Sequence, residues 1–257
     1  MEKHRLVTLV AAAALSLSAL AQSEGGLIVG AEAEKKVNRQ LSIGLEADMR
    51  TRNNFKTMDR LGIGIGASYK LSKWLKADAG YKLLDYNYRE KVEYYTSSKG
   101  NAKIKWRPSY HGVKHRFYAS LGASFKLPCN IKLSLRERWQ YTYRPETTPE
   151  RYKMSIADQT KTLDVGYARG GKGKNQLRSR LQAEYDRKRA LFTPYASVEL
   201  YNNWTIEKVR YTAGTEIRLS KQHALDVYYR FQDMRNVDAE EYDPDMHFLG
   251  LGYKFKF

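Results

Sequence analysis

The sequence predicts an all-β protein: a transmembrane, antiparallel, up-and-down β-barrel of about 12 strands, with about 10 as the alternative, following a cleaved N-terminal signal peptide. Three observations lead to this fold class. The chain begins with a basic and then apolar segment, continues with segments in which apolar and polar residues alternate, and ends on an aromatic residue. Such alternation is the period of a strand, whose successive side chains point to opposite faces.

The N-terminal segment has the three regions of a secretory signal peptide in their usual order. Basic side chains precede residues 6–20, which are almost all Leu, Val, Ala and Ser, and residues 19–21 offer the small-x-small pattern of a cleavage site. We therefore expect residues 1–21 to be removed on export and residues 22–257 to form a single barrel domain.

The rest of the chain has no apolar run near the roughly 20 residues that a membrane-spanning helix needs. A closed barrel remains as a spanning solution, because every backbone N–H and C=O must be paired inside lipid. The low mean hydropathy of −0.66 agrees with a barrel, because only alternate positions of its strands need to be apolar.

The formal net charge is +17. In a cytosolic protein such an excess of Lys and Arg would suggest nucleic acid, but export removes that partner. We expect outer-membrane lipid instead, including anionic lipopolysaccharide, because anionic membranes attract basic segments.

The sequence allows few cysteine-based sites. Cys129 is the only cysteine, so the chain can form no internal disulfide and no paired-cysteine metal site. We expect neither a metal nor a cofactor.

Strand-like alternation is strongest at 61–71 and 117–127, where every odd position is apolar. Weaker alternation recurs at 27–35, 40–52, 75–88, 131–143, 176–186, 193–202, 208–219, 224–233 and 249–257. These segments number eleven, whereas a closed antiparallel barrel normally has an even number of strands. We therefore expect a twelfth strand, for which residues 162–169 are one candidate, or a barrel of ten if the N-terminal segment does not complete a span.

The final strand carries its apolar residues on one face: Leu249, Leu251, Tyr253, Phe255 and Phe257. This ending is similar to the C-terminal signal that the bacterial barrel-insertion machinery recognises in outer-membrane barrels. The sequence therefore predicts localisation in a bacterial outer membrane and an encounter with that machinery.

The connections between segments alternate in length. Tight links lie at 36–39, 72–74, 128–130, 187–191 and 220–223, and the longest connections span 89–114 and 145–175. Outer-membrane barrels have short turns on the periplasmic side and longer loops outside.

If the apolar face of each strand meets lipid, the opposite face places many charged residues in the lumen. These are Glu32, Glu34, Glu46, Asp48, Arg136, Arg138, Arg178, Arg180, Glu184, Glu199, Glu216, Arg218, Lys254 and Lys256. Charges away from bulk water must be paired, so we expect a narrow lumen largely blocked by ion pairs. Closure of the first strand on the last would bring Glu32 and Glu34 near Lys254 and Lys256.

Glu137 breaks this pattern, because it falls on the apolar face between Leu135 and Trp139. A carboxylate facing lipid is unfavourable, less so near the membrane boundary. We expect a β-bulge that shifts the register, or a position near that boundary.

Candidate catalytic residues are few. Ser109 and His111 are the one closely spaced Ser and His that could form a hydrolytic pair on an outer wall. Their order is opposite to the His-x-Ser arrangement associated with outer-membrane lipases, and Pro108 places them in a loop. The sequence favours a non-enzymatic role.

Residues 37–43, 135–141, 177–181, 194–200 and 247–257 together resemble an uncharacterised family of small outer-membrane barrels from Gram-negative bacteria, known as a domain of unknown function. The resemblance implies fold and location and no catalytic residue. Three functions remain open: a structural or surface-interaction role, a narrow porin-like channel for small solutes or ions, and an outer-membrane lipid acyl hydrolase or transferase.

Overall fold

The structure is a computed structural model that describes residues 23–97, 100–156, 160–187, 190–235 and 244–257. The predicted signal peptide lies outside the described residues. The strands of the described chain are β1 (Glu24–Lys36), β2 (Leu41–Arg52), β3 (Thr57–Lys70), β4 (Leu75–Tyr88), β5 (Lys91–Thr96), β6 (Ala102–Arg107), β7 (Tyr110–Lys126), β8 (Ile131–Arg144), β9 (Tyr152–Ser155), β10 (Lys161–Leu163), β11 (Lys172–Tyr185), β12 (Phe192–Asn203), β13 (Thr205–Arg218), β14 (His223–Met234) and β15 (Met246–Lys256). A short 3-10 turn, Pro128–Asn130, joins β7 to β8.

Eleven of these strands form a closed barrel in the order β1-β15-β14-β13-β12-β11-β8-β7-β4-β3-β2. Neighbouring strands are antiparallel except at the closure, where β1 runs parallel to β15. The parallel register runs without a break from Glu24 opposite Met246 to Glu34 opposite Lys256. The remaining strands form a separate sheet in the order β10-β9-β6-β5.

The expected strand number of twelve, and the alternative of ten, are both wrong. The described chain closes with eleven strands, one for each alternating segment of the sequence. An odd number closes because the first and last strands pair in parallel, which leaves neither of them with an open edge. Residues 162–169 add no barrel strand, since β10 pairs only with β9 in the separate sheet.

The connections predicted as tight links, at 36–39, 72–74, 128–130, 187–191 and 220–223, lie at one end of the barrel, which we call the turn end. Polar side chains close several of these turns by accepting backbone hydrogen bonds, as Asn and Ser commonly do. Asn38 Oδ1 accepts from the N–H groups of Gln40 and Leu41 at 2.8 and 2.7 Å. Ser72 Oγ and Ser220 Oγ act in the same way in the β3–β4 and β13–β14 turns.

The opposite end, which we call the loop end, bears the two long connections. The sequence presented both as loops, but they supply β5, β6, β9 and β10, and β6 pairs with β9 to join them in one sheet. The short β2–β3 connection at this end uses positive φ angles at Asn53, Asn54 and Phe55.

The apolar side chains of the strands face outward. Ile63, Leu181 and Leu249 are 61%, 56% and 56% exposed, whereas Glu199 and Gln232 on the opposite face are buried. A water-soluble protein rarely exposes so large a contiguous apolar surface. This orientation is the one that the alternating segments predicted.

Glycines on the inner face of the wall make room for large side chains from neighbouring strands. A Cβ on Gly66 would lie 2.7 Å from the Tyr118 hydroxyl, and one on Gly80 would collide with the same group. A Cβ on Gly250 would enter the ring of Tyr228. Glycine at these positions therefore lets tyrosines fill the interior.

Among the described residues, no helix is both long and apolar enough to cross a membrane.

Candidate functional site

The middle of the barrel interior is occupied by an ionic network around Glu199 of β12. Arg136 Nη2 donates to Glu199 Oε1 at 2.7 Å, and Arg178 Nη2 lies 3.0 Å from both carboxylate oxygens. The Tyr201 hydroxyl donates to Glu199 Oε2 at 2.9 Å and accepts a hydrogen bond from Arg210. We call these five residues the Glu199 network. It joins β8, β11, β12 and β13 across the interior.

Aromatic rings also stabilise interior arginines, which outnumber the carboxylates near them. The guanidinium groups of Arg178 and Arg210 each lie 4.6 Å from the ring centroid of Tyr201. Arg138 lies 4.1 Å from the ring centroid of Tyr118. Such contacts stabilise cations that have left water.

Other interior charges form ion pairs with side chains one or two strands away. Lys132 binds Glu184 and Lys254 binds Glu216, each at 2.8 Å. Lys82 pairs with both Glu46 and Asp48, and Arg60 with Asp48 at 3.2 Å. Within the described residues, Arg138, Arg180, Arg218, Glu32, Glu34 and Lys256 form no ion pair.

The closing strands have the register that the sequence suggested, with Glu32 opposite Lys254 and Glu34 opposite Lys256. The side-chain partner of Lys254 is nevertheless Glu216, which comes from β13. The barrel brings a carboxylate from two strands away closer to the ammonium group than the carboxylate directly opposite.

A cavity of about 800 Å³ lies at the loop end, between the barrel and residues 89–92 and 107 of the separate sheet and its flanking chain. Twelve of its lining residues are Lys or Arg and two are Glu, among the residues that the structure describes. We call this cavity the vestibule, and its basic residues include Arg107, Lys114, Arg144 and Lys174.

The barrel places these basic side chains by strand parity. Lys114 and Arg116 lie two residues apart at the start of β7, and Lys172 and Lys174 at the start of β11. Residues two apart on a strand share a face, so each such pair points into the cavity. The basic-x-basic spacing is the available signal in the sequence, but the pattern of alternation predicts residues 89–114 and 145–175 as long connections.

Some vestibule cations are paired and some lack a partner. Lys174 binds Glu207 at 2.7 Å, and Gln176 donates to the same carboxylate at 2.5 Å. Arg144 is only 5% exposed, yet its Nε and Nη1 have no hydrogen-bond partner in the described part of the chain. Arg107 is also buried, its Nε has no such partner, and its guanidinium lies 5.5 Å from the ring centroid of Tyr110.

The candidate hydrolytic pair is not assembled. His111 Nδ1 lies 2.9 Å from Asp85 Oδ2 on the neighbouring β4, and no hydrogen bond joins His111 to Ser109 among the described residues. Activation of a serine requires that hydrogen bond.

Glu137 sits in an unbroken register, opposite Leu121 of β7 and Ser179 of β11. The expected β-bulge is therefore absent from this part of β8; the register shifts lie at Arg50/Thr51 and Tyr201/Asn202. The Ser179 hydroxyl donates to Glu137 Oε2 at 2.6 Å. A hydrogen bond from the adjacent strand, rather than a change of register, accommodates this carboxylate on the outer face.

The residues of the proposed insertion signal lie on the last barrel strand and its terminus. Leu249, Leu251, Tyr253 and Phe257 are exposed on the outer face. In the described ranges, no group of three or more His, Cys, Asp and Glu residues is placed to hold a metal ion.

Comparison with known proteins identifies a family. A family model described as "Protein of unknown function (DUF2490)" matches residues 29–243. No curated protein matches the chain.

Two solved structures are similar to this chain. The β domain of the Bordetella autotransporter BrkA has 15% identity and a TM-score of 0.47, with 84% of this chain and 82% of that one covered. The translocator domain of the autotransporter NalP from Neisseria meningitidis has 9% identity and a TM-score of 0.47, with 86% and 76% covered.

Proposed function

Because the chain belongs to the DUF2490 family of proteins of unknown function, we propose a function from its geometry. The protein is an integral barrel of a bacterial outer membrane whose interior is closed to diffusion and whose loop end has a structural or surface-interaction role. This proposal rests on one observation. The wall is closed, its apolar side chains face outward, and its charged side chains are buried inside.

Membrane placement is supported by the chemistry of the wall. Every strand in the barrel is paired on both sides, so its backbone groups need no water. The outer face presents side chains such as Leu45 and Ile65, which favour hydrocarbon. The proposed route is export after removal of residues 1–21 and insertion through the barrel-insertion machinery, with outer-membrane lipid, including anionic lipopolysaccharide, as the surroundings.

Closure to diffusion is supported by the Glu199 network. Its members come from β8, β11, β12 and β13 and meet in the middle of the interior. Barrels of this size lie between those filled by side chains and those with an aqueous channel. Arg136, Arg178 and Arg210, whose side chains are 17%, 13% and 12% exposed, fill that space here.

Cell fractionation tests the placement. The full chain, expressed in a Gram-negative host, should be recovered in the outer-membrane fraction and migrate faster in unheated than in heated detergent gels. Phe257→Ser should reduce the inserted fraction, because it removes the terminal aromatic of the insertion signal. Phe55→Ser, which alters an exposed phenylalanine at the loop end, is the matched control. Recovery of the wild-type chain as a soluble periplasmic protein would overturn the proposal.

The second candidate is a narrow anion channel. Three arginines, Arg136, Arg178 and Arg210, surround the single carboxylate of Glu199, and such an excess of positive charge inside a pore favours anions. Planar-bilayer recordings separate the two candidates. Steady single-channel steps with anion selectivity would support the channel, and a silent bilayer with verified insertion would support the closed barrel.

A further inference from the structure

We propose that the vestibule is a binding site for a phosphate-bearing polyanion. This inference rests on the proposed surface-interaction role of the loop end, for which it names the chemical class of the ligand.

The vestibule has an excess of basic over acidic side chains. Twelve basic residues and two acidic residues line the vestibule among those that the structure describes. Both acidic residues already have partners: Glu207 binds Lys174, and Glu90 accepts a hydrogen bond from Trp106 Nε1 at 3.0 Å. Carboxylates outside the lining pair with five more of these cations: Asp59 with Arg50 and Arg52, Asp48 with Arg60, Glu24 with Arg89, and Glu93 with Lys91. Basic side chains still outnumber these acidic partners, and the resulting positive potential attracts anions.

Arg144 is a buried lining residue with N–H groups that lack hydrogen-bond acceptors. Its side chain is more than nine-tenths buried, it lines the cavity, and its Nε and Nη1 find no acceptor in the described chain. A buried cation without a partner is strongly unfavourable. An anion in the cavity would supply acceptors for these donors, and for Nε of the neighbouring lining residue Arg107.

Aromatic side chains hold the lining of the vestibule in place. The rings of Tyr88 and Tyr110 stack with centroids 4.8 Å apart. Lys114 Nζ lies 4.2 Å from the ring centroid of Tyr86 and 4.9 Å from that of Tyr88. These contacts fix the ammonium group before a ligand arrives, and such preorganisation lowers the cost of binding.

The chemistry of the donors suits phosphate. A guanidinium group offers a planar fork of N–H donors that matches phosphate oxygens, and several point charges from lysines suit a ligand with more than one such group. A volume of about 800 Å³ is in the range of small-molecule sites. The phosphates could be carried by a free small molecule or by the headgroup of an outer-leaflet lipid.

Titration calorimetry of the full chain with inorganic tripolyphosphate tests the site. The protein is held in nanodiscs of neutral phosphatidylcholine, and we expect saturable binding that weakens as salt is added. Arg144→Gln should weaken binding by about tenfold or more, because it removes a buried charged partner of the ligand. Arg144→Lys keeps the positive charge but loses the planar fork of N–H donors. Its affinity for tripolyphosphate should therefore fall between that of the wild-type chain and that of Arg144→Gln.

Lys103→Gln is the matched control, since it removes one positive charge from β6 at the same end of the molecule without lining the vestibule. It should bind tripolyphosphate as the wild-type chain does. Arg107→Gln repeats the test from the separate sheet if Arg144→Gln fails to give the folded gel band. Equal binding by the wild-type chain, Arg144→Gln and Arg107→Gln, or no binding by the wild-type chain, would overturn the proposal.

A second arm distinguishes the sources of phosphate. Nanodiscs of phosphorylated lipopolysaccharide should abolish the tripolyphosphate signal if the headgroup occupies the vestibule, whereas dephosphorylated lipopolysaccharide should not. A signal that persists in both nanodiscs identifies a free polyanion. Because binding is measured on purified protein, its loss is distinguishable from a failure of outer-membrane localisation, which fractionation reports separately.

Discussion

Arg178 Nη2 lies 3.0 Å from both carboxylate oxygens of Glu199, inside the barrel and across the pairing of β11 with β12. Arg136 approaches the same carboxylate from β8. One negative charge thus stabilises several buried guanidinium groups.

Glu199→Gln should destabilise the barrel by about 3–5 kcal/mol, because it leaves buried arginines without their counter-charge. Denaturant unfolding of the protein in lipid vesicles measures the loss. Glu216→Gln is the matched control: its pair with Lys254 is more exposed, and the cost should stay near 1 kcal/mol or below. Equal costs for the two variants would contradict the account of the Glu199 network.

Gly80→Ala should lower the free energy of unfolding by about 1–3 kcal/mol, because the added methyl group collides with the Tyr118 hydroxyl. Gly122→Ala, whose Cβ would meet nothing closer than 3.9 Å, is the control and should be nearly neutral. The double variant Gly80→Ala, Tyr118→Leu should recover part of this loss relative to Tyr118→Leu alone, because the Tyr118 hydroxyl and Cζ, both within 2.6 Å of the added Cβ, are removed. The backbone oxygen of Ile65, 2.7 Å from that Cβ, remains and keeps the recovery partial. Failure to recover any would show that Tyr118 is not the group in contact.

The parallel closure predicts a pattern of disulfide crosslinks between β1 and β15. In a Cys129→Ser background, Glu32→Cys with Lys254→Cys should crosslink under mild oxidation, since these residues are opposite each other. Glu32→Cys with His247→Cys is the control, because His247 lies opposite Gly25 at the other end of the strand. Crosslinking of the control pair alone would mean that the strands are antiparallel and that the strand count is even.

Asp164, in the connection that follows β10, should make the separate sheet sensitive to acid. Hydrogen bonds from Lys153 and then Arg151 hold the pKa of this carboxyl below its usual value. A carboxyl group with a lowered pKa stabilises the folded state above its unfolded pKa, roughly 4, and the contribution disappears as the pH falls through the folded value.

Hydrogen exchange in β9 and β10 should therefore speed up between roughly pH 5 and pH 3, after correction for the intrinsic rate. Asp164→Asn should remove this pH dependence and exchange faster at neutral pH. An unchanged protection profile in the wild-type chain over that interval would show that the Asp164 pairs do not hold the sheet.

The sequence was a good guide to the wall of the barrel. Each alternating segment became one barrel strand, and the apolar residues at 61–71 and 117–127 face outward as their period of two predicted. This worked because strand parity depends only on neighbours along the chain. The number of strands was mispredicted, since the rule of even counts overlooks closure by a parallel pair.

The interior contacts and the vestibule were less accessible from the sequence. Lys254 binds Glu216 rather than Glu32, because the reach of a long side chain depends on the stagger of several strands. The vestibule also needs residues from distant connections, such as Arg107 on β6 and Arg144 on β8. Their proximity follows from the pairing of β6 with β9, which no local sequence pattern predicts.

In a barrel that spans the membrane, the apolar face of each strand meets hydrocarbon. Spin labels at single cysteines along β3, placed in a Cys129→Ser background and read in lipid vesicles, test it directly. Labels at Leu61, Ile63 and Ile65 should be accessible to oxygen dissolved in the lipid and shielded from a water-soluble nickel reagent, and labels at Ser68 and Lys70 on the opposite face of the same strand should show no such preference for oxygen. Nickel accessibility at the odd positions would contradict the account.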